Sequence, residues 1–117
     1  MKLTPTQFGG AAAVDGYGPG FFRINGKVIH GAVLVTAEGG APWAGLDDRA
    51  SLLALAGRVD VLFIGMGADV AHAPADLVAA LRNAGVAVES MASPTAARTY
   101  NVTLSEGRRV ACALLPL

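Results

Sequence analysis

A chain of 117 residues is long enough for one domain with its own core and no disulfide staples. Hydrophobic residues make up 53% and charged residues 15%, well under the roughly 25% of an average soluble chain, so the apolar surface suffices to offset the entropy of folding and disorder is excluded. Nine Lys plus Arg balance nine Asp plus Glu, which leaves no basic excess for phosphate neutralisation and argues against nucleic acid as a partner.

In chain order, an early strand is expected near 12–17. In "FFRINGKVIHGAVLV", Asn25-Gly26 separates two extended runs, 20–24 and 27–36. Asn-Gly accepts positive φ at both central positions, as a two-residue type I′ hairpin requires. The loop "AEGGAPWAG" follows, with Trp43 read as capping a core edge. Leu46, Ala50, Leu53 and Leu55 then mark a first helix, with Asp47 and Asp48 in its first turn, favouring the helix dipole, and Gly57 at its end. "VDVLFIG" has the apolar composition of a strand buried on both faces. A second helix starts at Pro74, presents Leu77, Val78 and Leu81 on one side and stops at Gly85. "VAVESM" is a strand, Ser93-Pro94 opens a third helix, and "RVACALLP" is the last strand. Strands alternating with short helices predict a mainly parallel sheet, preceded by a hairpin region, in one domain spanning 1–117.

The longest apolar runs, "VLFIGMGA" and "VACALLPL", are about eight residues, far below the ~20 that span a bilayer. "MKLTPTQFGG" carries no signal-peptide pattern. Direct membrane insertion is therefore not expected, and a cytoplasmic location is. Cys112 is the one cysteine, which excludes an internal disulfide and a cysteine-based metal cluster. It is read as a small core residue. His30 and His72 stand apart, with no ligand at metal-binding spacing. No nucleophile elbow, no metal site and no catalytic constellation is read from the chain.

Two stretches carry the candidate site. Gly65 and Gly67 sit where a strand passes into a loop, which half resembles a phosphate cradle, although glycines serving only a tight turn are the preferred reading. However, residue 70 is Val where the dinucleotide fingerprint needs glycine, so no nucleotide cofactor is expected. In "ASPTAARTYN", Ala97, Tyr100, Asn101 and Leu104 share one helix face. Tyr100 and Asn101 are expected to face inward and satisfy backbone groups, and Ser93 to cap free N–H groups. Arg98 and Thr99 occupy the flank, with Arg98 expected near the Gly65–Gly67 loop. Gly65, Gly67, Ser93, Pro94, Arg98, Thr99 and Tyr100 are thus the candidate ligand, anion or partner site at the carboxyl edge of the sheet. Asn25, Gly26 and Asn101 are expected to be structural. Glu106 is expected to reach Arg108 or Arg109.

The runs "RINGKVIHGAVLV", "VLFIGMG", "LRNAGVAVESMAS" and "AARTYNVTLSEGRRVACALLP", together with the Trp43 loop, resemble the Mth-like domain family. That family includes a mitochondrial complex I assembly factor and an adipogenesis-associated protein. The resemblance implies a three-layer α/β domain, a mixed sheet flanked by helices, and a small extra antiparallel sheet. It implies no established enzyme activity and no cofactor, and this chain is most like the stand-alone bacterial members. The expected function is a non-enzymatic protein-binding or assembly module, related to respiratory-complex assembly or membrane-protein biogenesis. Its expected partner is a protein, with a homodimer as one option. The alternative is a small-molecule or anion-binding domain at the carboxyl edge, with weak catalysis.

Overall fold

The computed structural model describes residues 10–117. The chain runs β1 Val14–Gly18, β2 Phe21–Ile24, β3 Lys27–His30, β4 Val33–Thr36, β5 Gly39–Pro42, α1 Arg49–Leu53 and β6 Val61–Gly65. It continues through α2 Ala75–Asn83, β7 Ala87–Met91, α3 Ser93–Ser105 and β8 Val110–Leu114. Strands β1, β2 and β3 form a small antiparallel sheet, and the larger sheet has the order β5-β4-β8-β6-β7. This larger sheet is mixed: β8, β6 and β7 are mutually parallel neighbours, while β5, β4 and β8 are antiparallel.

Side-chain alternation along β6 and β8 builds a core on each face. Val61, Phe63, Val110, Cys112 and Leu114 pack under α3 and the small sheet, together with Phe22, Ile24 and Tyr100. Leu62, Ile64, Ala111 and Ala113 face the other way, toward Leu52, Leu77 and Leu81 of α1 and α2. The fold is therefore three-layered, with α3 and the small sheet on one side and α1 and α2 on the other. All five residues of β6 and of β8 are buried, which accounts for their continuous apolar sequences.

The β2–β3 turn is Asn25-Gly26, with φ of 50° and 83°, and Ile24 pairs with Lys27 across it. The backbone N–H of Gly26 also donates to the Asp15 carboxylate.

Several expectations need correction. The run 27–36 is two strands. Gly31 adopts φ +84° between them, and this left-handed residue sends β3 to the small sheet and β4 to the large one. The glycine-rich loop contains strand β5, paired with β4 through Thr36↔Gly39 and Val33↔Pro42. Glycine is required at 40, because a Cβ there would lie 2.9 Å from Ile24 Cγ1 of the small sheet. Helix α1 begins later than its leucine spacing suggests. Asp48 is its N-cap, accepting from Ser51 N–H at 3.2 Å, so neither Asp47 nor Asp48 lies in its first turn. Leu52 and Leu55 are buried, whereas Leu53 is exposed. Glu106 ends α3 as its C-cap, and Arg109 pairs instead with Asp60 at 2.8 Å.

Candidate functional site

The carboxyl edge of the parallel strands is where the candidate residues meet. Ser93 is fully buried at the start of α3. Its Oγ accepts from Gly67 N–H at 2.9 Å and donates to the Leu115 carbonyl at 2.6 Å. Its own N–H donates to the Gly67 carbonyl at 2.8 Å, and Met66 N–H donates to the Met91 carbonyl at 2.8 Å. Leu115 N–H donates to the Gly65 carbonyl at 2.9 Å. A Cβ on Gly65 would lie 2.7 Å from both Ser93 Cα and Ser93 Oγ. Gly67 needs glycine for a different reason, its φ of +90°.

These contacts lock the strand ends, the start of α3 and the C-terminal segment into one joint. The loop's Met66 and Gly67 N–H groups are engaged within the protein, so they do not form the open cradle that an anion needs. Pro94 has no N–H to offer. The expectation that Ser93 caps α3 is corrected here: α3 has Ala92 as N-cap and no side-chain cap, because the Ser93 hydroxyl bridges the loop and Leu115.

Further along α3, Tyr100 is fully buried and its hydroxyl donates to the Ala12 carbonyl at 2.8 Å. Burial, with Cys112 adding to it, raises the Tyr100 pKa well above the ordinary phenol value. A phenol held neutral in this way cannot serve as a base near pH 7. Asn101 Nδ2 donates to the Val14 carbonyl at 2.8 Å, and its Oδ1 accepts from Val14 N–H at 2.9 Å. Together the two side chains fasten the start of the small sheet to α3. The Thr99 carbonyl accepts from Thr103 Oγ1 at 2.9 Å. Arg98 is exposed, and among the described residues its side chain makes no hydrogen bond or ion pair, with the Gly65–Gly67 loop or elsewhere. The structure thus gathers Gly65, Gly67 and Ser93 into one joint, directs Tyr100 and Asn101 toward β1, and leaves Arg98 to solvent.

Trp43 is buried and its Nε1 donates to the Asp48 carbonyl at 3.1 Å. Cys112 is buried, which pushes its thiol pKa well up and keeps it the poor nucleophile that a buried thiol is. His30 and His72 are exposed on separate elements. Among the described residues, no three His, Cys, Asp or Glu side chains converge as a metal site, and no helix is long and apolar enough to cross a membrane.

Sequence reasoning passed over the edge of the large sheet at β7, whose outer side no strand pairs with among the described residues. Its signal was present in "VAVESM", where Glu89 and Ser90 interrupt a pattern that β6 and β8 keep wholly apolar.

Residues 14–115, nearly the whole described chain, match the family model described as "Protein of unknown function (DUF498/DUF598)". The chain belongs to this family. It is similar to an uncharacterized protein of Rhodobacter capsulatus, 58% identical over 110 residues that cover 94% of this chain and 89% of that one. It is also similar to the NADH dehydrogenase [ubiquinone] 1 alpha subcomplex assembly factor 3 of Danio rerio, at 30% identity over 99% of this chain and 71% of the relative. A solution structure from Bordetella pertussis, described as a Mth938-like domain, has a TM-score of 0.78 at 30% identity and covers 99% of this chain and 92% of that one.

Proposed function

We propose that this member of the DUF498/DUF598 family is a non-enzymatic assembly module that binds a protein partner during construction of a respiratory complex. The observation that carries the reading is the 30% identity to an NADH dehydrogenase assembly factor, extending over 99% of this chain. An alignment of that extent includes both sheets and α3, so the whole fold is shared rather than one motif. The internal chemistry agrees with a scaffold: Ser93, Tyr100 and Asn101 are engaged in holding the fold. Protein association then depends on the outer surface.

The test is deletion of the gene in its source organism, with native-gel and in-gel activity measurement of the NADH dehydrogenase. The reading predicts loss of the assembled complex with accumulation of subassemblies, restored by the wild-type gene. A normal complex in the deletion strain would overturn the respiratory assignment.

A further inference from the structure

Among the described residues, no strand pairs with the outer side of β7, where the large sheet ends. Ala87 N–H donates to the Asp60 carbonyl at 2.9 Å, and the Met91 carbonyl accepts from Met66 at 2.8 Å. Backbone groups alternate sides along a strand, so Ala87, Glu89 and Met91 point theirs toward β6, and Val88 and Ser90 point theirs outward. Of those outward groups the Val88 carbonyl alone has a partner among the described residues, a long 3.4 Å bond from Arg82. Elsewhere, Asn101 clamps β1 at Val14, and β3 lies beside β5. Natural edge strands are usually blunted by Pro, a charged side chain (especially Lys) or a bulge. Strand β7 has no Pro and no Lys, its register with β6 is unbroken, and exposed Glu89 is its one charge.

Beside this edge runs a groove of about 850 Å³ between β7 and α2. Ala73, Val78 and Ala79 line it together with polar Glu89 and Ser90, and Arg82 stands exposed at its side. Arg49, Arg58 and Arg109 each pair with a carboxylate. Arg82 has no acidic partner among the described residues.

We propose that the β7 edge receives an extended segment of a partner protein as an added strand, with a carboxylate side chain of that segment beside Arg82. This rests on the protein-binding function proposed above and gives it a surface. Unpaired ladder groups specify an extended backbone, the shallow groove of mixed apolar and polar lining accepts alternate side chains, and a guanidinium with no acidic partner among the described residues favours an acidic residue on its side of the groove.

The experiment titrates the isotopically labelled full chain with three blocked hexapeptides: Thr-Val-Glu-Val-Thr-Val, its Lys-for-Glu counterpart, and the Glu peptide N-methylated at alternate amides. The Glu peptide should slow hydrogen exchange at the Val88 and Ser90 amides and bind at least about tenfold more tightly than the other two. Ser90→Pro removes an outward N–H while leaving the β6 pairing intact, and should abolish binding. Ser90→Ala keeps that N–H, losing only the hydroxyl that accepts from Ala73 N–H, and should bind as wild type does. Arg82→Glu, at an exposed position, should exchange the preference to the Lys peptide.

Equal binding of the N-methylated peptide, protection at other amides, or no binding at ~1 mM peptide overturns the inference. A full-size partner retained equally by wild type and Ser90→Pro overturns the edge inference alone, and a wild-type chain that retains no partner overturns the protein-binding function with it.

Discussion

Asn101→Ala is the most informative perturbation of the fold. The side chain makes two bonds to one residue, to the Val14 carbonyl at 2.8 Å and from the Val14 N–H at 2.9 Å. Val14 itself is only 5% exposed, so water replaces the amide poorly there. A buried polar group left without a partner costs about 1–3 kcal/mol. Asn101 is half-buried, which lets some water reach the site and sets each loss at the low end. The sum is about 2 kcal/mol. At ~4 °C per kcal/mol for a domain of this size, Tm should fall by about 8 °C. The assay is thermal unfolding followed by circular dichroism, with urea unfolding to show a lower midpoint at unchanged slope. Asn101→Asp should be at least as damaging, because a carboxylate cannot donate to the Val14 carbonyl. Val102→Ala, one position along and exposed, should change Tm by less than about 2 °C. An Asn101→Ala chain that melts with wild type would refute the clamp between α3 and β1.

Gly65→Ala should destabilise by about 1–3 kcal/mol in urea unfolding, because the new methyl meets Ser93 backbone at 2.7 Å and Leu114 at 2.8 Å. Gly26→Val places a β-branched residue at φ +83° and should lower stability by about 1–2 kcal/mol, read by the same unfolding curve. Native Cys112, fully buried, should resist a maleimide for hours and label at once in urea; rapid labelling of the folded protein would show an open path to it. The hydrogen bond from Arg109 holds the Asp60 carboxyl below its ordinary pKa. Its stabilising contribution is therefore present above the unfolded aspartate value of ~3.9 and is lost as pH falls through the lower folded value. Both groups are exposed, so Asp60→Asn should separate from wild type only slightly at pH 7 in dilute buffer, and melting curves in 1 M salt should coincide.

The parallel half of the fold was legible because its signals are local. Strands β6 and β8 are apolar throughout, α2 runs from a proline to a glycine, and Asn25-Gly26 fits one turn type. The split at Gly31 was hidden, since "KVIHGAVLV" keeps its β-favouring composition while a single left-handed glycine changes sheets. Strand β5 was hidden by "GGAP", whose glycine at 40 answers to Ile24 packing across two sheets. The inward face of α3 could be read from three- and four-residue spacing, and Tyr100 lies on it. The role of Ser93 could not be read so. A serine before a helical run signals a cap, and only tertiary structure brings Gly67 N–H and the Leu115 carbonyl to its hydroxyl. The glycines at 65 and 67 fitted a tight turn, the preferred reading, or an anion cradle for the same reason: sequence shows that backbone can come close, not what approaches it.

The central claim, that this chain works by holding a protein, is tested most directly by affinity purification of the full tagged chain from its source cells after brief chemical cross-linking. The account predicts near-stoichiometric recovery of defined respiratory-complex subunits, with cross-links on the surface of this chain and none requiring the carboxyl-edge joint to open. Recovery of the chain free of protein, with a small anion bound at Gly65, Gly67 and Arg98, would contradict it.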